Sequence, residues 1–252
     1  MRASTKGVVD VVFCLDASGS MSPCIGSLRR NVGSFLDGLG GGWNRKYDCR
    51  LDFLAHSCDE SGSIVRSNSL RNQGVQVLAN LYGPTPNQSS FFTEEPASLR
   101  FALEEVTTFG DEAMLLALDT CLDFPWRTRS DCHRVVVLLT DEPLETNAVA
   151  IDQKRMIGPI IDKIQALGVM LFMVAPKSEA FNELAEADKS QYQQVAQSHD
   201  GLGSLDFSRV LSHIGKSVSV SALHQGREQP VQRALFGQNH WGSSSGEIRG
   251  GM

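Results

Sequence analysis

The chain has 252 residues, 41% of them apolar and 21% charged, with a net charge of −6 and an isoelectric point near 5.5. That is the balance of an ordinary globular protein with enough chain to bury a real core. No apolar run approaches the roughly 18 residues of a membrane span, and Lys and Arg are scattered rather than striped, so neither a membrane nor a nucleic acid is an expected partner.

Val8–Leu15 is a near-continuous apolar run rich in β-branched residues, the pattern of a strand buried on both faces. Met1–Lys6 is a short lead into it, too short with this run for a signal peptide, so the expected compartment is the cytoplasm. Ile25, Leu28, Val32, Phe35, Leu36 and Leu39 recur at helical period over Ser22–Leu39, and Gly40-Gly41-Gly42 stops that helix. Tyr47–Ala55 alternates as a second strand. From His56 to Pro96 the pattern weakens to strands or hairpins joined by long loops, with short apolar pieces at Val75–Leu81 and Phe91-Phe92. Helices are predicted over Pro96–Val106 and Glu112–Leu122, a strand over Val135–Thr140, and a helix over Asp152–Leu167 ended by Gly168. Then follow a strand over Val169–Ala175, a short helix over Tyr192–Ser198, a short strand over Gly203–Asp206 and a last helix over Phe207–Val220. Strands alternating with helices imply an α/β fold with a doubly wound, mostly parallel central sheet flanked by helices, spanning residues 7–222. Residues 223–252 read as a flexible tail in which Leu235, Phe236 and Trp241 form a candidate docking segment.

In such sheets ligands bind beyond the carboxyl ends of the strands. Two strands end there in carboxylates: Leu15-Asp16-Ala17-Ser18-Gly19-Ser20-Met21 and Leu139-Thr140-Asp141-Glu142. Asp16, Ser18 and Ser20 put one carboxylate and two hydroxyls on a tight loop. These are hard oxygen donors, which suit Mg2+, with Mn2+ or Ca2+ as alternatives, rather than zinc or copper. The competing reading is a helix N-cap, for which Ser and Asp are favoured. None of the six cysteines forms a Cys-x-x-Cys pair. Cys24 is the one closest to the loop, and a small buried filler is its commoner role.

The string Asp16-Ala17-Ser18-Gly19-Ser20-Met21 resembles the metal-ion-dependent adhesion site (MIDAS) of von Willebrand factor A (vWA) domains, and the resemblance covers roughly residues 7–220. Val135–Asp141 is similar to the strand that carries the last metal-site aspartate of that family. Phe109-Gly110-Asp111-Glu112, Leu116-Ala117-Leu118 and Pro125-Trp126-Arg127 look like an intracellular bacterial-type or matrix-protein variant. Most of the family supplies a threonine from the middle loop, whereas the variant has Gly-Gly-Gly-Asp. The resemblance therefore implies Asp111 as middle ligand, with Thr107 and Thr108 as alternatives and Glu142 close by. Asp111 could instead cap the helix after it, and Glu142 and His56 could be plain loop residues. With Asp111, three carboxylates would face one dication, which would weaken capture of an anionic partner group.

The resemblance also implies a metal-dependent protein–protein interaction module, a non-catalytic component of a bacterial multi-protein system whose partner is an ATPase, kinase or phosphatase. The alternatives are a structural metal with partner binding through the tail, and a magnesium-dependent phosphoryl-transfer enzyme. Against the enzyme, the chain has no Gly-x-x-x-x-Gly-Lys-Ser/Thr loop, no Asp-x-Asp strand end and no Gly-x-Ser-x-Gly turn.

Overall fold

The computed structural model describes residues 7–38, 47–58, 64–70, 91–128, 130–144, 153–196, 202 and 205–223. The tail with Leu235, Phe236 and Trp241, the glycine run at 40–42 and most of the 56–96 segment lie outside them. None of the helices among the described residues is long and apolar enough to cross a membrane.

Six strands form one sheet: β1 (Gly7–Asp16), β2 (Tyr47–Cys58), β3 (Ile64–Ser69), β4 (Cys132–Leu139), β5 (Met170–Pro176) and β6 (Ser190–Val195). Their order is β3-β2-β1-β4-β5-β6. Five are parallel, and β3 runs antiparallel on β2 at one edge. The chain leaves β1 toward β2, then returns to place β4 on the other side of β1. The order reverses between β1 and β4, which is where a doubly wound sheet opens a crevice at its carboxyl edge.

Side chains of β1 alternate between two cores. Val9, Val11, Phe13 and Leu15 pack with α1 (Ser22–Gly38), α2 (Pro96–Glu104) and α6 (Phe207–Leu223). Val12 and Cys14 pack with α3 (Met114–Leu122), α4 (Ile157–Leu167) and α5 (Glu179–Leu184). Helices α1 and α6 touch closely: a Cβ on Gly38 would lie 2.3 Å from the Ser212 carbonyl oxygen. The turn after α4 closes as expected on Gly168, at φ +64°.

Two predicted elements are corrected. Tyr192–Ser198, expected as a helix, opens within strand β6, which pairs in parallel with β5. As an edge strand it is only half covered, so its polar glutamines carry no clear period. Tyr192 is held instead by a ring contact with Phe181 at 5.9 Å and by a hydroxyl bond to the Pro176 carbonyl. Leu205 and Asp206, expected at the end of a strand, belong to no strand. Asp206 accepts the Arg209 N–H at 3.0 Å and so caps the start of α6.

Far from the carboxyl edge, the buried Asp10 on β1 anchors a charged network. It accepts Arg50 Nε (2.9 Å) and Nη2 (2.6 Å), and the Arg127 backbone N–H (2.9 Å) and Nε (2.7 Å). Burial pushes its pKa up, but these bonds and charges outweigh it and leave the pKa lowered. Arg50 also stacks on Phe92, 4.6 Å from the ring centre.

Candidate metal centre

Strand β1 ends at Asp16, and the loop after it is tied down at once. The Ala17 N–H donates to the His56 carbonyl (2.8 Å), and the Ala17 carbonyl accepts the Phe109 N–H (2.8 Å). The Ser18 N–H donates to Asp16 Oδ1 (2.7 Å), folding the loop back over the carboxylate. Thr140, at the end of β4, donates its hydroxyl to Asp16 Oδ2 (2.8 Å). Both Asp16 oxygens are therefore oriented by neighbours from the two central strands.

The hydroxyls continue the chain of contacts. Ser20 Oγ donates to Asp141 Oδ1 (3.0 Å), and Ser18 Oγ lies 3.2 Å from Ser20 Oγ. Because the single Ser20 proton is used on Asp141, Ser18 is the donor in the second pair. Ser18 precedes the 3-10 turn Gly19–Met21 as its N-cap, yet its side chain makes no cap bond. The capping reading of Ser18 is thereby answered: its hydroxyl serves the cluster. Asp16, Ser18, Ser20 and Asp141 are thus linked in one network, in which the Ser20–Asp141 bond joins residues 121 apart in sequence.

The middle loop is placed beside them by its backbone. Phe109 holds the Ala17 carbonyl, and Asp111 exchanges two backbone bonds with Cys58, each 2.8 Å. Between them Gly110 sits at φ +75°, a left-handed conformation that a side chain resists. The Cys58 thiol donates to the Glu112 carbonyl (3.1 Å). Asp111 is half-buried, and its carboxylate joins no hydrogen bond or ion pair among the described residues. Asp111 is also no helix cap: α3 starts only at Met114 after Ala113, and the Leu115 N–H is satisfied by Gln153 Oε1 at 2.9 Å. Thr108 is half-buried and Thr107 exposed. Glu142 is half-buried, with its N–H on Thr140 Oγ1 at 3.2 Å.

Among the described residues, no three His, Cys, Asp or Glu side chains gather as a metal-holding group. The donors drawn together are two carboxylates with serine hydroxyls between them.

The electrostatics show what this cluster lacks. Asp16 is fully buried, and burial pushes its pKa up to about 7, with the Glu112 charge adding to the rise; the Ser18 N–H and Thr140 hydroxyl hold it back in part. Burial also raises Asp141, against the Ser20 hydroxyl. Burial raises the Cys24 thiol well above its ordinary value, and the Asp16 and Asp141 charges add to that, which leaves Cys24 a buried thiol beneath the cluster. No cationic side chain pairs with either aspartate among the described residues. Buried carboxylates with oriented oxygens and no counter-ion fit a divalent cation of hard-oxygen preference.

His56, paired in register with Asp16 on the neighbouring strand, is fully buried. Burial drives its pKa down to about 4, with the Ala55 backbone opposing in part, and among the described residues neither ring nitrogen meets a partner at full hydrogen-bond geometry.

Sequence reasoning missed Thr140, Glu112 and Gln153. Thr140 was visible as the strand residue before Asp141. Glu112 and Gln153 carried no signal, since their places depend on how α3 docks.

The fold is that of the von Willebrand factor A domains. Proximal thread matrix protein 1 from the mussel byssus, solved with a zinc-occupied MIDAS motif, matches with a TM-score of 0.53 at 13% identity, over 85% of this chain and 46% of that one. The pilus adhesin SpaC of Lactobacillus rhamnosus GG, in an open conformation, matches with a TM-score of 0.52 at 14% identity, over 87% of this chain and 31% of that one. A von Willebrand factor type A protein from Catenulispora acidiphila aligns at 15% identity and a TM-score of 0.48, over 84% of this chain and 43% of that one. The chain thus spans less than half the length of these structures. No protein-family model matches the sequence, and comparison with curated proteins gives no match.

Proposed function

We propose that this chain is a protein–protein interaction module whose contact passes through a divalent cation. Asp16, Ser18, Ser20 and Asp141 would hold the ion, with Asp111, or Thr108 beside it, as the middle-loop donor. The observation that carries the reading is the Ser20 hydroxyl, which joins the Ser18 hydroxyl to the Asp141 carboxylate and so unites two strand ends at the switch point of the sheet. Magnesium is the first choice, with manganese and calcium as alternatives. Zinc, which occupies the motif in the mussel protein, belongs in the same titration.

When bound, the ion supplies Lewis acidity and a coordination position for a partner's oxygen. The chain's own residues do the rest. Thr140 and the Ser18 N–H fix the Asp16 oxygens, and Ser20 fixes Asp141. Gly19 and Ser20 are exposed while Asp16 and Ser18 are buried. This one-sided opening favours a contact site over a closed structural metal with docking through Leu235, Phe236 and Trp241. The module is read as non-catalytic, working in the cytoplasm beside an ATPase, kinase or phosphatase of one bacterial system.

The test is calorimetric titration of the full chain with Mg2+ and Mn2+, followed by Asp16→Ala and Ser20→Ala. One-to-one binding, abolished by Asp16→Ala and weakened by Ser20→Ala in a folded protein, is the expected result. Absence of binding by the wild type refutes the reading. Turnover of a phosphoester that needs Mg2+ and Asp141 would replace it with the enzyme.

A further inference from the structure

Toward the amino edge of the sheet, away from the candidate metal centre, the charged network around Asp10 borders a cavity of about 350 Å³. Three aromatic rings, Phe91, Phe92 and Trp126, and two guanidinium groups, Arg50 and Arg127, line it. That size suits a small molecule, and the lining sets flat apolar faces beside fixed charges.

The aromatic wall is held in an unusual backbone conformation. Phe92 sits at φ +55°, left-handed geometry that is an outlier for a bulky side chain. Three bonds impose it. The Phe92 N–H donates to the buried Asp52 Oδ2 (2.9 Å), and Thr93 exchanges two backbone bonds with Leu51, each 2.8 Å. Such strain persists where the surroundings over-determine it, and it collects at ligand clamps. The held ring lies 5.5 Å from the Trp126 ring and 4.6 Å from the Arg50 guanidinium. Trp126 directs its one polar group, Nε1–H, to the Leu122 carbonyl (3.1 Å), so the rest of the indole is apolar surface.

The charged wall keeps a donor in reserve. Arg127 is fully engaged: Nε on Asp10, Nη2 on the Val9 and Asp48 carbonyls, and Nη1 on the Asp48 carboxylate. Arg50 holds Asp10 through Nε and Nη2. The planar fork puts its Nη1 on the side away from that carboxylate, and Nη1 has no hydrogen-bond partner among the described residues. Arg134, in register with Asp10 on β4, donates from Nη2 to the Arg127 carbonyl (3.0 Å). The network thus joins three guanidinium groups to two carboxylates, Asp10 and Asp48, and carries a surplus positive charge.

We propose that this cavity binds a small planar aromatic anion. Its ring lies against Trp126 and Phe92, and its carboxylate or phosphate accepts from Arg50 Nη1. A neutral ring would leave the surplus charge unanswered, and a non-aromatic anion would leave the aromatic wall wet. A free aromatic acid and a nucleoside monophosphate share the required chemistry.

The test is calorimetric titration of the full chain with 2-naphthoate and with adenosine 5′-monophosphate, in chelator so that no metal ion holds the anion. Saturable one-to-one binding of either is expected, and the tighter of the two tells the aromatic acid from the nucleotide. 2-Naphthamide lacks the charge and cyclohexanecarboxylate lacks the flat ring, so each should bind about tenfold more weakly than 2-naphthoate. Arg50→Lys keeps a cation for Asp10 but loses the planar fork, and should weaken the bound probe about tenfold. Because Arg50 also serves a buried ion pair, Thr128→Glu is the second variant and decides alone if Arg50→Lys does not fold. Thr128 lines the cavity and is exposed, so a carboxylate there should repel the anion and weaken it about threefold in a folded protein. Three results would overturn the proposal. One is the absence of saturable binding of both probes, as would follow if residues 71–90 of the chain fill the cavity. Another is equal affinity for 2-naphthamide and 2-naphthoate. The third is wild-type affinity in folded Thr128→Glu, which would put the anion elsewhere.

Discussion

Asp16→Asn should stabilise the metal-free protein near neutral pH, although it removes a residue at the centre of the candidate site. The Asp16 pKa is raised from 3.8 to about 7 in the folded chain. Between these values the folded state holds a proton that the unfolded state has released, so stability falls as pH rises from about 4 to 7 and then levels off. A shift of about 3 units corresponds to about 4 kcal/mol at full ionisation, an order-of-magnitude figure for a buried group. Asparagine keeps an acceptor for the Ser18 N–H and can donate to Thr140 Oγ1, so it retains the hydrogen bonds while discarding the charge. The assay is urea unfolding of both proteins in chelator from pH 4.5 to 8.5. The difference between them isolates Asp16, because Asp52, which burial also raises to about 7, titrates in both. The expected difference grows with pH in favour of Asp16→Asn and flattens above pH 7. On the proposed reading saturating Mg2+ should reverse it, since the ion would stabilise only the wild type. A flat difference across this range in chelator, or an asparagine variant that is less stable throughout, would refute the electrostatic argument.

His56 enters the fold neutral, with a pKa lowered from 6.5 to about 4, so its contribution is complete above pH 6.5 and is lost as pH falls toward 4. His56→Leu should leave stability at pH 7 unchanged or raised, since among the described residues the buried ring nitrogens meet no partner at full hydrogen-bond geometry, and should flatten the acid limb of a pH–urea series. Arg127→Ala should cost about 3 kcal/mol in urea unfolding, because among the described residues the buried Asp10 would keep only Arg50 as a cationic partner. Gly110→Ala should cost about 1 kcal/mol, measured in the same way, from the left-handed backbone there.

The order of strands and helices was legible where burial was two-sided. Val8–Leu15 and Val135–Thr140 announce themselves because every face of these strands is covered, so nearly every residue is apolar. Ser190–Val195 did not, because an edge strand of Ser, Gln and Tyr is stabilised by backbone pairing that leaves no mark on composition. The same divide runs through the site. Asp16, Ser18, Ser20 and Asp141 were readable because they lie on strand ends that the parallel sheet must bring to one edge. Thr140 as a hydrogen-bond donor, Glu112 as a source of charge and Gln153 as a helix cap depend on side-chain directions that only packing fixes. The place of Asp111 turned on where α3 begins. Periodicity set that start at Glu112, whereas the Cys58 pairing delays it to Met114.

Strand β1 carries two carboxylates on one face, six residues apart, both at 0% exposure. For Asp10 the polypeptide provides its own guanidinium groups, Arg50 and Arg127, so the charge is balanced under all physiological conditions. For Asp16 no cationic side chain among the described residues does so, and the charge is relieved by a proton in acid and, on the proposed reading, would be balanced by an ion at neutrality. One end of the strand is therefore balanced from within, whereas at the other the folding equilibrium follows the protons around it and, on the proposed reading, would follow the cations too.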